Sequence, residues 1–367
     1  MSGAKLSRPR FLGGVIEDLS PGPVEEEAHR DPCVVPYLYV HRAEEEFDYP
    51  SVRAGRDARR VAWRYLECVL VQAASLRLRD VNWDIVFVTN AADRRQEIGG
   101  YGMRLLDRIE SYGVEIRHAD YGHRSWARTT TFFASHYLFD AIAAVAEEDR
   151  LWLLTDVDCV WADPAQVFDA VRRLDTIGSV ALVYPADWDV CGYTPASLGR
   201  LGARLIGRDV EINSWIGGEL VAATGPQLRE LVLASTALEA EAVAAGSPVN
   251  TEEHLLTLAN ATGRVPIASL NHVAGRIWTG PRHHAVNPSR PIELGLWHLP
   301  GEKGLSFRRA AKALLRGDEG LRRDLRDPVS AGPRFNVGGL PRSRRVADDA
   351  WIAAQRVRSL IRSWLRG

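Results

Sequence analysis

The sequence predicts an α/β protein built on a mostly parallel sheet with helices on both faces, an irregular C-terminal region and a terminal amphipathic helix. Three observations carry that expectation. Short runs that are apolar throughout alternate with longer segments whose apolar residues recur at helical spacing. Strands covered on both faces read as such unbroken runs. At 367 residues, 46% hydrophobic and 25% charged, the chain is long enough for one large α/β domain with extensions.

In order, residues 1–31 mix Pro, Gly and acidic residues and read as a mobile leader. "CVVPYLYVH" (33–41) is a first strand, β-branched and aromatic. Over 57–79, Val61, Tyr65, Val69, Ala73 and Leu76 share a helical face. "WDIVFVTNA" (83–91) is a second strand, 93–111 is helical in part, and "GVEIRHAD" (113–120) is a third strand. A helix over 128–149, with Thr129 or Thr130 as its cap, leads into a fourth strand at 151–155. A short helix (164–174), a strand (179–186) and "GGELVAAT" (217–224) follow. Next come a helix over 226–246, opened by Pro226 and closed by Gly246, and a short one over 251–262. Residues 279–307 are irregular, 308–344 hold a helix and then a linker at 331–343, and 345–367 form a basic amphipathic helix.

Composition removes several classes of function. A net charge of −1 gives no electrostatic footprint for nucleic acid, and none is expected as a partner. No apolar run reaches the length of about 18–20 residues needed to span a bilayer, and the N-terminus lacks a secretory core, so a cytoplasmic location is expected. Cys33, Cys68, Cys159 and Cys191 are scattered and read as reduced thiols. Lys5, Lys303 and Lys312 are the only lysines among 46 basic residues, an arginine bias typical of high-G+C bacterial genomes. Each surviving lysine is therefore worth inspecting.

The fourth strand ends in "LWLLTDVDCVWADP" (151–164), two aspartates one residue apart. In open α/β sheets ligands gather beyond the carboxyl ends of the strands. On extended backbone, Asp156 and Asp158 point the same way and invite a hard divalent cation. The plain alternative is a pair that caps the following turn; "ADWD" (Asp187, Asp189) repeats the spacing.

Together with "LGLWHLPGEKG" (294–304), the pair resembles the retaining GT-A glycosyltransferases of family 8, a Rossmann-like fold that includes glycogenin and bacterial lipopolysaccharide galactosyltransferases. Their pattern is a strand ending in D-x-D and, much later, H-x-x-G-x-x-K. Here His298, Gly301 and Lys303 match with the lysine one position early. The resemblance implies that Asp156, Asp158 and His298 bind Mn²⁺ or Mg²⁺, that Gly301 lets the backbone approach a diphosphate, and that Lys303 reaches its oxygens. It further implies a UDP-sugar donor and an acceptor that is a glycan, a lipid-linked sugar or a small natural product. In "EINSWIGGELVAATG" (211–225), Asn213 is then a polar contact to acceptor and donor sugars, and Gly217–Gly218 let ligand approach the backbone. "NTEEHLLTLA" (250–259) is similar at Glu252, His254 and Leu255 to the Asp-Glu-x-His-Leu-Asn segment of family 6 transferases. That places Glu252, with Glu253 second, under the anomeric carbon. His41, Asn90, Arg128 and Ser135 are expected near the nucleotide or its sugar.

Two other readings stay open. D-V-D-C-V also satisfies the D-x-D-x-[TV] signature of haloacid-dehalogenase phosphatases, with Asp156 as nucleophile and Asp158 as general acid, although that signature belongs on a first strand. A sugar-nucleotide-binding protein without turnover is the third reading. The C-terminal helix is expected to pack on its own domain; peripheral contact with the inner face of a membrane and a homodimer are the alternatives.

Overall fold

A computed structural model describes residues 32–42, 45, 57–122, 133–173, 179–187, 189–279 and 289–338. The leader, Arg128, Trp188 and the C-terminal helix lie outside the described residues, and with them the membrane and packing expectations for that helix. The strands are β1 (Cys33–Leu38), β2 (Asp84–Thr89), β3 (Val114–His118), β4 (Leu151–Thr155), β5 (Cys159–Trp161), β6 (Ser179–Pro185), β7 (Ser214–Thr224), β8 (Ile267–Ser269), β9 (Ala274–Arg276) and β10 (Leu296–His298). The helices are α1 (Ala58–Arg77), α2 (Gly99–Glu110), α3 (Tyr137–Ala143), α4 (Pro164–Arg173), α5 (Pro195–Ile206), α6 (Gly225–Ala244), α7 (Glu252–Ala261), α8 (Arg308–Leu315), α9 (Glu319–Leu325) and α10 (Pro328–Arg334).

Seven strands form a mostly parallel sheet in the order β3-β2-β1-β4-β7-β6-β8, with β7 antiparallel to both of its neighbours. Alternation along each strand feeds two cores. Val34, Ile85, Phe87 and Leu153 face α1 and α2, while Val35, Val86, Val88 and Leu154 face α3, α6 and α7. β5, β10 and β9 make a second, three-stranded sheet whose Trp161 and Trp297 are fully buried in the first core. The α8–α10 region joins that same core through Leu314, Leu325 and Phe335.

Most expected elements form close to their expected bounds, and local chemistry explains the exceptions. Among the described residues of the helix expected over 128–149, Tyr137–Ala143 is regular after a 3₁₀ turn at Phe133–His136, and the expected cap, Thr129 or Thr130, lies outside the described residues. Glu147, Glu148 and Asp149 would stand at its C-terminal end, where the helix dipole disfavours anions. The helix α5 was not expected, because Gly199 and Gly202 weaken its interior. Those glycines are packing devices: a Cβ at Gly199 would lie 2.7 Å from the Val210 carbonyl oxygen. A reciprocal Thr194–Ser197 capping box and Pro195 start the helix, and Gly207, at φ 69°, ends it. Residues 331–334, expected as linker, belong to α10, which Asp327 caps. The irregular stretch 279–307 contains β10, the element that matters most for the site.

Candidate metal centre

β1 is followed in the chain by β2 and β3 on one side, and β4 then pairs with its other side. The strand order thus reverses between β1 and β4, and a crevice opens beyond their carboxyl ends. Asp156 is the first residue past β4. Its backbone N–H donates to the Glu219 carbonyl (2.9 Å), and its Oδ1 accepts from the Val157 N–H (2.7 Å). Gln72 on α1 donates to the Thr155 hydroxyl at 2.8 Å and braces the end of the strand. These bonds turn the chain so that Asp158 enters the core completely buried, whereas Asp156 keeps about a third of its side chain exposed (32%).

β5 starts at Cys159 and pairs antiparallel with β10, Cys159 opposite His298. The Leu299 N–H donates to the Asp158 carbonyl at 2.9 Å, which locks the register. An imidazole from late in the chain is thereby set beside both aspartates: His298 Nε2 lies 3.3 Å from Asp158 Oδ2 and 3.5 Å from Asp156 Oδ2. One ligand atom from each of the three residues lies within 4.8 Å of the others. Adjacent ligands on a small octahedral cation sit about 3 Å apart, given metal–oxygen distances of about 2.1 Å. Asp158 Oδ1 and both His298 ring nitrogens make no hydrogen bond of normal geometry among the described residues. Leaving such buried atoms unsatisfied costs about 1–3 kcal/mol each. Two carboxylates and an imidazole fit Mn²⁺ or Mg²⁺, and a bound cation would satisfy Asp158 and the His298 Nε2 beside it, while Nδ1 faces Glu219.

Lys303 shares Asp158 Oδ2 with His298. Its Nζ is 3.0 Å from Asp158 Oδ2 and 5.1 Å from the centre of the Tyr65 ring. Burial pushes the Asp158 carboxyl up, but the Lys303 charge and His298 outweigh it and hold the group well below the usual carboxylate range. Burial lowers the Lys303 ammonium, and the facing Asp158 more than reverses this. The lysine begins a π-helical turn, Lys303–Phe307. Glu302 anchors that turn by accepting from the hydroxyls of Thr279 and Ser306 and from Asn336 Nδ2 (3.1 Å). At Gly301 a Cβ would come within 3.0 Å of the Thr279 hydroxyl, so the glycine serves the close approach of Thr279.

Gly217 and Gly218 stand inside β7 at a bulge, where the pairing with β6 jumps between Ala181 and Leu182. The space their side chains would fill is occupied by this chain: Tyr184 and Glu219 close on Gly217, and Glu252 on Gly218. The close approach that these glycines permit is made by this chain's own side chains. The bulge turns the Glu219 carboxylate into the interior, its Oε1 3.6 Å from His298 Nδ1. Arg276, placed beside His298 by the β9–β10 register, ion-pairs with Glu219 and, at 2.8 Å, with Glu253. Its guanidinium also covers the Tyr184 ring at 4.6 Å.

Glu252 opens α7 next to Gly218. Its N–H donates to the Ser135 hydroxyl (3.4 Å), while its Oε2 is buried without a hydrogen-bond partner among the described residues. Burial raises its pKa, and Ser135 and His136 work against that rise. Burial and Glu252 likewise push Glu253 up, to about 8. His254 is a structural pin: Val190 O lies 2.9 Å from its Nε2, and its Nδ1 accepts from the Thr251 N–H at 3.3 Å.

The expected nucleotide contacts fare unevenly. The Asn90 amide pairs with the Val40 backbone, accepting at 2.7 Å and donating at 3.0 Å. His41 is buried edge-on against Tyr39 and Phe133. Burial lowers its pKa to about 4 against the opposing pull of Glu45. Asn213 is exposed just before β7, on the stretch that runs past the end of β4. Sequence reasoning missed Glu219 and Arg276; the one available signal was an acid inside an otherwise apolar strand, directly after Gly-Gly.

No protein-family model matches this chain, and no curated protein matches it.

Proposed function

We propose that this chain is a metal-dependent glycosyltransferase. It moves a hexose from a nucleotide-diphosphate sugar, UDP-hexose by the resemblance above, to an acceptor hydroxyl with retention of anomeric configuration. The observation that carries the reading is the convergence of Asp156, Asp158 and His298 at the carboxyl end of β4, where the strand order reverses. These three residues would hold Mn²⁺ or Mg²⁺, and a bound cation supplies charge that offsets a departing diphosphate. Lys303 adds a compact positive charge on the same side. Glu252, half-buried and with its Oε2 buried and unpaired among the described residues, supports a role against the anomeric carbon, either as a nucleophile or as a stabiliser of positive charge developing on the sugar. Ser135 orients it through the first turn of α7.

The test is a hydrolysis and transfer assay over a panel of nucleotide sugars, with Mn²⁺, with Mg²⁺ and with chelator. Release of nucleoside diphosphate that requires the metal, and that Glu252→Gln lowers at least a hundredfold, is the expected result. Hydrolysis of p-nitrophenyl phosphate with every nucleotide sugar left intact would replace this reading with a phosphohydrolase.

A further inference from the structure

The oxygen that faces the histidine is already occupied. Asp158 Oδ2 lies 3.3 Å from His298 Nε2 and 3.0 Å from Lys303 Nζ, so an entering cation has to share it with an ammonium. Asp158 is fully buried and Lys303 nearly so, 0% and 7% exposed. Solvent therefore screens the lysine–cation repulsion little. Lys303 stands on a flexible four-carbon stem, and the π-helical turn at its base is pinned by Glu302 rather than by the lysine itself.

From this we infer that Lys303 is the counter-cation of the metal-free centre, and that the centre loads its metal and an anionic diphosphate as a pair. The metal alone binds against the ammonium. A diphosphate draws the ammonium off Asp158 Oδ2 and frees that oxygen for the metal, so each ligand raises the affinity for the other. By linkage the two enhancements are equal. The inference rests on the nucleotide-sugar reading, and it adds the order in which the site becomes competent: Asp158 is available in full only when the anion is present.

The experiment measures Mn²⁺ affinity from the free-ion electron paramagnetic resonance signal, using the full chain, wild type and Lys303→Met, with and without UDP as the probe diphosphate. Circular dichroism checks the fold, and Lys303→Gln is the second variant should the first fail to fold. In the wild type, UDP should tighten Mn²⁺ at least tenfold. In the variant, Mn²⁺ alone should bind about tenfold tighter than in wild type, and the UDP enhancement should shrink to about twofold. Unchanged or weaker Mn²⁺ binding in the variant, beside normal binding in wild type, overturns the inference and leaves the metal centre standing. Absence of Mn²⁺ binding in both proteins removes the metal reading and the inference with it.

Discussion

Two aspartate pairs in this chain share a spacing and little else. Asp156 and Asp158 follow β4, an interior strand at the reversal of strand order, and β5 and β10 close over them until Asp158 is wholly buried. Asp187 and Asp189 follow β6, and both are exposed. Identical side chains thus become a candidate metal centre in one place and solvated charge in the other. The difference is the register between β5 and β10, which delivers an imidazole to one pair. D-x-D spacing acquires chemistry from what folds on top of it.

The largest expected effect breaks the first pair. Asp158→Asn should abolish Mn²⁺-dependent UDP-sugar hydrolysis, a loss of more than a hundredfold. It should also destabilise the fold by about 3 kcal/mol, because Lys303 is left buried without its carboxylate. Urea unfolding reads that cost, and the double variant Asp158→Asn/Lys303→Met should recover part of it without recovering activity. Next, Glu219→Gln tests whether the centre extends behind its histidine. A carboxylate behind a metal-binding imidazole is typically worth about 10–100-fold in metal affinity, so Mn²⁺ titration should show a loss in that range with activity falling in step.

A third test reads the two imidazoles that burial holds neutral. Burial lowers His41 and His254 to about 4 from an unfolded value of 6.5. A histidine held neutral contributes stability that is fully present above pH 6.5 and is lost as pH falls toward 4, because the unfolded state then binds the extra proton. Unfolding free energy should drop by about 2 kcal/mol per histidine between pH 7 and pH 4.5. A His254→Gln variant that still folds should show a shallower dependence over the same interval. The smallest expected effect lies in the second pair: Asp187→Asn and Asp189→Asn should each change stability by less than about 0.5 kcal/mol and leave Mn²⁺ affinity unaltered. A hundredfold loss of affinity there would erase the contrast between the pairs.

What was legible in the sequence follows from what leaves a periodic or paired trace. The early strands, α1 and the aspartates at the end of β4 were readable, since apolar runs and helical spacing report burial directly. His298 was accessible only through resemblance, because the β5–β10 pairing that brings it home is three residues long and crosses most of the fold. Glu219 left only the trace of an acid in an apolar strand, because its inward turn depends on a bulge and periodicity presumes regular strands. A polar residue at a strand's carboxyl end serves a ligand or its neighbour's backbone equally well, and at Asn90 Val40 takes both ends of the amide.

Thermal unfolding tests the central claim most directly, with Mn²⁺ and UDP-glucose added singly and together to wild type and to His298→Ala. A ligand that binds only the folded state raises the melting temperature. The combination should raise it by several degrees in wild type, by more than the two single additions together, and have little effect in the variant. An equal rise in both proteins, or none in wild type with any nucleotide sugar, would contradict a centre built from Asp156, Asp158 and His298.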